Sequence, residues 1–453
     1  MPSAGWLDRP HGRRVARAGK WALEAMLLCF ATASLVQAQT GALGQAPGMA
    51  LASEAQTGDY LLGTMKLSSG FTDNVLLSTA NGLSDVYYGI QPGVAFSRSL
   101  GWLHTTWEFS PWLVKYQKID ERDRLSGSFV TDFTARPWDH WTFDLNNSFQ
   151  VRTNPPFDTF APPPVTSTYY YGEGGTIIAP LDNLTTDEAD FDVSYQPTDR
   201  TIFQGSLFYQ TYAYHPIPGL NLTQGLVDSR SEYGRLQFYR QFSPRFLLGA
   251  SYSLQNVDFS FTNHSAGVLA HSFVGVGTFK ITPAIQLQLF GGPVLAHIDN
   301  QILVIIGGAG IYLPVSADTL SGTGGAIFSV HKDRTTMQLV VTRQVSGGSG
   351  FTGASQSNKA DLSIRREFSS RWTFALSGQY ALYTPIGPTN NTSFELHVRS
   401  AQASLTRRLT ERLSLDFQIT RGQQLELTRA TRRYVDVDFA QFTLTYQFRH
   451  PIG

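Results

Sequence analysis

Apolar and polar residues alternate with a period of two along most of the chain. In residues 141–153, Trp141, Phe143, Leu145, Phe149 and Val151 share one parity, while Thr142, Asp144, Asn146, Ser148, Gln150 and Arg152 share the other. The same alternation recurs in Phe191, Val193 and Tyr195, in Trp372, Phe374 and Leu376, and in Leu413, Leu415, Phe417 and Ile419. Successive side chains of a β-strand point to opposite faces, so this pattern predicts strands whose two faces meet different environments. Hardly any window shows the three- and four-residue spacing of an amphipathic helix.

The breaks between these runs are asymmetric. Short polar turns occur at 136–140, 196–200, 242–245, 281–284, 331–334, 368–371 and 409–412, with 99–102 as a looser eighth, and longer, more variable connections lie between them. Short turns on one side and long loops on the other is the arrangement of a transmembrane β-barrel. Eight short turns join strand pairs and leave one strand at each end. The fold class is therefore all-β: a transmembrane antiparallel β-barrel of about 18 strands, with 16 to 20 compatible. The strands are expected to begin near Tyr60, Val86, Leu103, Leu125, Trp141, Glu188, Thr201, Ser231, Phe246, Gly267, Ile285, Leu320, Thr335, Lys359, Trp372, Phe394, Leu413 and Tyr434. Two places strain the count: residues 301–315, QILVIIGGAGIYLPV, form an apolar run that fits a strand extension or a hairpin better than a plug, and the parity of 394–408 slips near Ser400.

The first 38 residues have the parts of a secretory signal. Arg9, Arg13, Arg14, Arg17 and Lys20 form a basic start, an apolar middle follows, and Val36-Gln37-Ala38 supplies small residues where a signal peptidase reads. Removing five basic and two acidic residues from totals of 35 and 35 leaves a net charge near −3. The single cysteine, Cys29, falls inside this segment, so no disulfide framework is expected. No basic stripe points to nucleic acid. The organisation expected is a signal peptide at 1–38, a short periplasmic segment at 39–59, the barrel at 60–448 and a tail at 449–453.

At the chain end Phe442, Leu444, Tyr446 and Phe448 alternate with Thr443, Thr445 and Gln447. This resembles the C-terminal assembly signal of Gram-negative outer-membrane proteins. With the repeated units of strand, Arg-containing turn and apolar strand, the chain resembles β-barrel porins, including those found with exopolysaccharide and exosortase systems. The resemblance implies location in the outer membrane, contact with its lipid, and assembly by the barrel insertion machinery.

Parity then nominates the residues that face the lumen: Lys66, Glu108, Asp132, Asp144, Arg152, Asp190, Asp192, Arg235, Asp361, Arg365, Glu367 and Asp416. For any one of them, simple solvation competes with a role in filtering solutes. Trp102, Trp141, Phe246 and Trp372 fall at turns, where an interfacial aromatic girdle belongs. The proline- and tyrosine-rich connection 153–187 is a candidate constriction whose rings could stack on sugars. Residues 263–267, Asn-His-Ser-Ala-Gly, have a loose likeness to the His-x-Ser-Asn-Gly element of outer-membrane phospholipases, but Ala266 replaces its asparagine. No other catalytic motif appears, and neither an enzyme nor a cofactor or metal is expected. Two functions fit: a porin-like channel for small hydrophilic solutes, with a saccharide as candidate, or a non-conducting barrel whose loops bind or anchor a partner such as exopolysaccharide.

Overall fold

The computed structural model describes residues 59–78, 82–119, 124–153, 182–216, 226–261, 265–306, 309–348, 352–386, 394–428 and 431–451. The expected signal segment, all of 39–59 but Asp59, and residues 154–181 of the candidate constriction lie outside them. Eighteen strands are present: β1 (Tyr60–Thr72), β2 (Asp85–Leu100), β3 (Leu103–Tyr116), β4 (Arg124–Ala135), β5 (Trp141–Thr153), β6 (Asp182–Thr198), β7 (Thr201–Pro216), β8 (Asp228–Ser243) and β9 (Phe246–Ser260). The second half continues with β10 (Ser265–Thr282), β11 (Ile285–Ile306), β12 (Ala309–Lys332), β13 (Thr335–Gly348), β14 (Thr352–Ser369), β15 (Trp372–Pro385), β16 (Glu395–Arg408), β17 (Leu413–Leu427) and β18 (Arg432–Pro451). Each strand pairs antiparallel with its neighbours in sequence, and β1 pairs with both β2 and β18, so the sheet closes on itself. Closure leaves no unpaired strand edge, which lipid could not hydrogen-bond.

At all eight short turns the first residue of the next strand is the expected one. The chemistry of these turns explains why. In five of them a Ser or Thr hydroxyl accepts a hydrogen bond from the backbone N–H two residues on: Thr198 from Arg200, Ser243 from Arg245, Thr282 from Ala284, Ser369 from Arg371 and Thr410 from Arg412. Such side-chain turns compete with continued extension and end the strand at a defined residue. On the loop side three strands begin at least six residues earlier than expected, β6 at Asp182, β12 at Ala309 and β14 at Thr352, because pairing continues above the membrane where alternation fades, whereas β16 begins one residue later, at Glu395. The apolar run 301–315 joins β11 to β12 as a long hairpin.

The outward face carries the apolar parity, with Leu145, Phe149, Leu207, Leu236, Phe273, Leu289 and Phe442 all exposed. A girdle marks its turn-side border. Trp141 stacks on Tyr195 at 4.6 Å, Phe246 lies 4.9 Å from Phe279, and the guanidinium of Arg407 sits 5.0 Å over the Trp372 ring. Arg240 and Arg366 pack likewise over Phe242 and Phe368. Aromatic rings and cations meet where lipid meets water. Pro92 and Pro111 withhold donors from the β2–β3 ladder, which is interrupted between Ile90 and Val94 without a change of register. The Gln91 side chain spans the gap by donating to the Ser110 hydroxyl at 2.8 Å.

The chain end differs from expectation. Arg449, His450 and Pro451, expected in a tail beyond the barrel, continue β18 and pair with Leu62, Leu61 and Tyr60. Phe448 pairs with Gly63, and its ring occupies the space a side chain at Gly63 would need: a Cβ there would lie 2.1 Å from the ring. The aromatic thus covers a bare stretch of backbone at the seam.

Two outcomes follow from this arrangement. Leu289→Arg, on the lipid face, should cost about 2–4 kcal/mol in a denaturant titration of barrels refolded into vesicles, and Gln288→Arg on the opposite face should cost less. Phe448→Ser should reduce folded barrel, read by heat-dependent gel mobility, more than deletion of 449–453 does. Equal losses would mean that the seam is held by the three terminal pairs instead of the ring.

Candidate functional site

Inside the barrel, every described side chain nominated by parity lies on the face opposite the exposed apolar residues: Lys66 on β1, Glu108 on β3, Asp132 on β4, Asp144 on β5, Asp190 and Asp192 on β6, Arg235 on β8, Asp361, Arg365 and Glu367 on β14, and Asp416 on β17. The side chain of Arg152 lies outside the described residues. Closure of the sheet sorts the rest into groups.

The first group is an acidic arc. Glu108, Asp132, Asp144, Glu188, Asp190 and Asp192 come from four adjacent strands, β3 to β6. Asp132 accepts from the Asn146 amide and Asp144 from the Thr134 hydroxyl at 2.7 Å. Asp192 accepts from the Ser206 hydroxyl and, at 3.3 Å, from Gln204. The buried Arg235 guanidinium donates to the same Ser206 at 3.2 Å, so one cation is tied to the edge of the arc. The second group is mixed: Arg365 and Glu367 approach at 3.6 Å on β14, with Lys359 beside Asp361, and Lys66 faces Asp416 two strands away. Glu188 and Lys359 were not nominated, although both have the inward parity of the residues that were. Among the described residues no group of three or more His, Cys, Asp or Glu could hold a metal ion.

The inward face is not polar throughout, which periodicity alone did not reveal. On β10 and β11 it is apolar over most of its height, with Val274 and Phe290 mid-strand and Val268 and Ile298 near the loops, and on β9 it is apolar at both ends, Leu247 and Phe259, with buried Ser253 and Gln255 between. On β2, β3, β15, β16 and β18 it is apolar only on the loop side, where Tyr87, Tyr116, Tyr383, Leu396, Val398, Val437 and Phe439 form one buried cluster. Several strands therefore change which parity is apolar half-way along. On β16 it is Leu396 and Val398 facing in, then Leu405 facing out; on β18 it is Val435, Val437 and Phe439 in, then Phe442 and Leu444 out. The parity slip near Ser400 marks this change.

His264 of the phospholipase-like stretch lies outside the described residues, and Ser265 opens β10, exposed. A hollow of about 480 Å³ is bordered by Leu145, Phe191, Leu207, Gly234 and Leu254 of the outward face.

No protein-family model and no curated protein matches the sequence. Among solved structures, the chain is similar to the ferric-catecholate import receptor Fiu from E. coli K12, with 10% identity, a TM-score of 0.46 and coverage of 87% of this chain and 82% of that one. It is also similar to OccAB4 from Acinetobacter baumannii, with 9% identity, a TM-score of 0.43 and coverage of 88% and 100%. A third similar structure is OccK2 (OpdF) from Pseudomonas aeruginosa in complex with glucuronate, with 10% identity, a TM-score of 0.41 and coverage of 87% and 100%. The closed 18-stranded barrel is established by the strand pairing of this chain itself.

Above the membrane, on the outer face of the β11–β12 hairpin, His297 lies 2.7 Å from Asp318 and 3.4 Å from Asp299. It stands about twelve residues above the turn at Ile285, beyond the roughly 9–11 residues a strand needs to cross. The hydrogen bond to Asp318, aided by the nearby Asp299 charge, raises its pKa above the ordinary 6.5. A raised folded-state value means the pair steadies the hairpin fully below the unfolded-state pKa, and that this support is lost as pH rises through the folded value. An NMR titration of His297 should therefore show a midpoint above 6.5 that falls on Asp318→Asn. A midpoint unaffected by that substitution would show that the pair does not form.

Proposed function

We propose that this protein is an outer-membrane channel through which small hydrophilic solutes pass passively, with saccharides as the candidate class. The observation that carries the reading is the pairing pattern of 18 strands in a closed ring whose inward face, on the turn side of β3 to β6 and of β14 to β17, is lined by carboxylates, hydroxyls and amides. A barrel of 8 strands is filled by its own side chains, whereas about 16 to 18 strands enclose room for an aqueous channel. The polar lining supplies donors and acceptors that can exchange with the hydration shell of a passing solute. No catalytic step is needed: the lining is suited to passage. A leader-directed route to the outer membrane and insertion by the barrel assembly machinery fit the apolar outward face and the terminal Phe442, Leu444, Tyr446 and Phe448.

Overall balance of inward charge suggests weak selectivity, but the charges are not evenly spread. Among the described residues six carboxylates share one arc, with Arg235 tied to its edge and Arg136 near Asp144, so a permeating ion that follows this wall meets a negative field. The reading therefore includes a preference for cations. A second reading, a non-conducting barrel whose loops bind exopolysaccharide, draws support from the apolar cluster on the loop side of the lumen.

In planar bilayers under a salt gradient, the purified barrel should conduct with a reversal potential on the cation side, and replacing Asp144, Asp190 and Asp192 by Asn should move that potential towards zero. Added oligosaccharide should reduce the current if sugars enter. Folded barrels that pass no current would favour the binding reading.

A further inference from the structure

The connection after β1 does not loop away from the barrel. Val75 and Leu77 are only 1% and 5% exposed, seated in the apolar cluster with Tyr87, Tyr116 and Val437. Two hydrogen-bonded anchors hold the segment there. Asp73 accepts from the Asp438 N–H at 2.7 Å, and the Asn74 amide donates to the Asp436 carbonyl at 2.9 Å and to the Ser78 carbonyl at 3.0 Å, while the Ser78 N–H donates back to Asn74. Leu77 has a φ of +50°, in the left-handed region that a branched-chain residue occupies only under strain. The neighbouring connection is tied in as well, since the buried Asp85 carboxylate accepts from the backbone of Lys118 and Ile119 and sets Ile119 in the same cluster.

Contacts from the far wall complete the arrangement. Leu226, on the connection between β7 and β8, packs against this cluster although β8 stands eight strands round the ring from β16 and from β18, which supply much of it. Its neighbour Val227 packs against the second apolar cluster, made by β9 to β11 with Val345 of β13. Ile386, which follows β15, also reaches that second cluster. Apolar side chains from opposite walls therefore converge across the loop side of the lumen, above the polar layer. Hydrophobic constrictions exclude hydrated ions by dewetting, without a steric block.

We propose that residues 73–78 are a hydrophobic gate: Val75 and Leu77, held by Asp73 and Asn74 on β18 in the cluster that Leu226 also joins, shut the outer half of the lumen to hydrated solutes, and their withdrawal opens it. The strain at Leu77 favours release, and the anchors on β18 oppose it. The gate rests on the channel reading above, and the two can fail separately.

The test compares the parent barrel with Val75→Ser/Leu77→Ser in planar bilayers, with heat-dependent gel mobility confirming that both are folded. The parent should show brief, infrequent openings, and the double variant a several-fold greater mean current; Asn74→Ala should fall between. In a second measurement, Val75→Cys should react slowly with an impermeant maleimide over the background of the unsubstituted chain, and faster when Asn74→Ala is added. Parent and double variant conducting equally and steadily would overturn the gate while leaving the channel. No current from either folded barrel would overturn the channel reading and the gate with it, whereas rapid labelling of Val75→Cys in the parent would overturn the gate alone.

Discussion

The hydrogen bonding of β1 to β18 is the constraint on which the rest of the structure depends. Lipid offers the backbone no partners, so a sheet with open edges would leave a row of unsatisfied N–H and C=O groups in hydrocarbon. Thirteen consecutive pairs from Tyr60↔Pro451 to Thr72↔Phe439 remove that cost, and they bring together residues from the two ends of the chain. Because pairing is fixed at this seam, the parity of every other strand is fixed as well: a slip of one residue would turn the lipid face inward. The ring of Phe448 over Gly63 lies within this seam, which gives the aromatic chain end a packing role in the finished barrel.

Two demands compete along each strand. In the part that crosses the bilayer, apolar residues face out and polar ones face in; above the bilayer the outward face meets water, and the inward face is free to become apolar. Strands β16 and β18 make this change of phase, Leu396 and Val398 against Leu405, and Val437 and Phe439 against Phe442. On the outer side of the same level, Arg421 pairs with Asp436 at 2.6 Å and with Asp438 at 3.4 Å, where charge is solvated. Outside the apolar wall of β10 and β11, the result is a barrel with a polar layer near the turns and a buried apolar layer near the loops. Its lumen has the chemistry of a channel at one end and of a protein core at the other.

This division also explains how anchoring and release can share one segment. Asp436 and Asp438 direct their side chains outward to Arg421, while their backbone groups hold Asn74 and Asp73 on the inner side. The ion pairs on the rim therefore steady the stretch of β18 to which residues 73–78 are attached. The closing contacts themselves are apolar and non-directional, so they form between loops without demanding an exact match of partners.

Much of this architecture was legible in the sequence for a physical reason: strand parity and turn chemistry are local. A period of two needs only neighbouring residues, and at five of the eight short turns a Ser or Thr hydroxyl ends the strand through a bond two residues long, which is why the strand count, the turn-side starts and the lipid-facing positions could be read directly. Parity also assigned Lys66, Glu108, Asp132, Asp144, Asp190, Asp192, Arg235, Asp361, Arg365, Glu367 and Asp416 to one face. It could not show that β3 to β6 would gather six carboxylates into an arc, or that Leu226 would meet a cluster built from β2, β3, β15, β16 and β18. Those facts depend on which strands stand beside and across from one another, and that is decided by closure of the ring. The phase change near Ser400 was visible as an irregularity, but its meaning required knowing where the membrane ends. Sequence determined what each strand offers to its two sides; tertiary structure decided what each side meets.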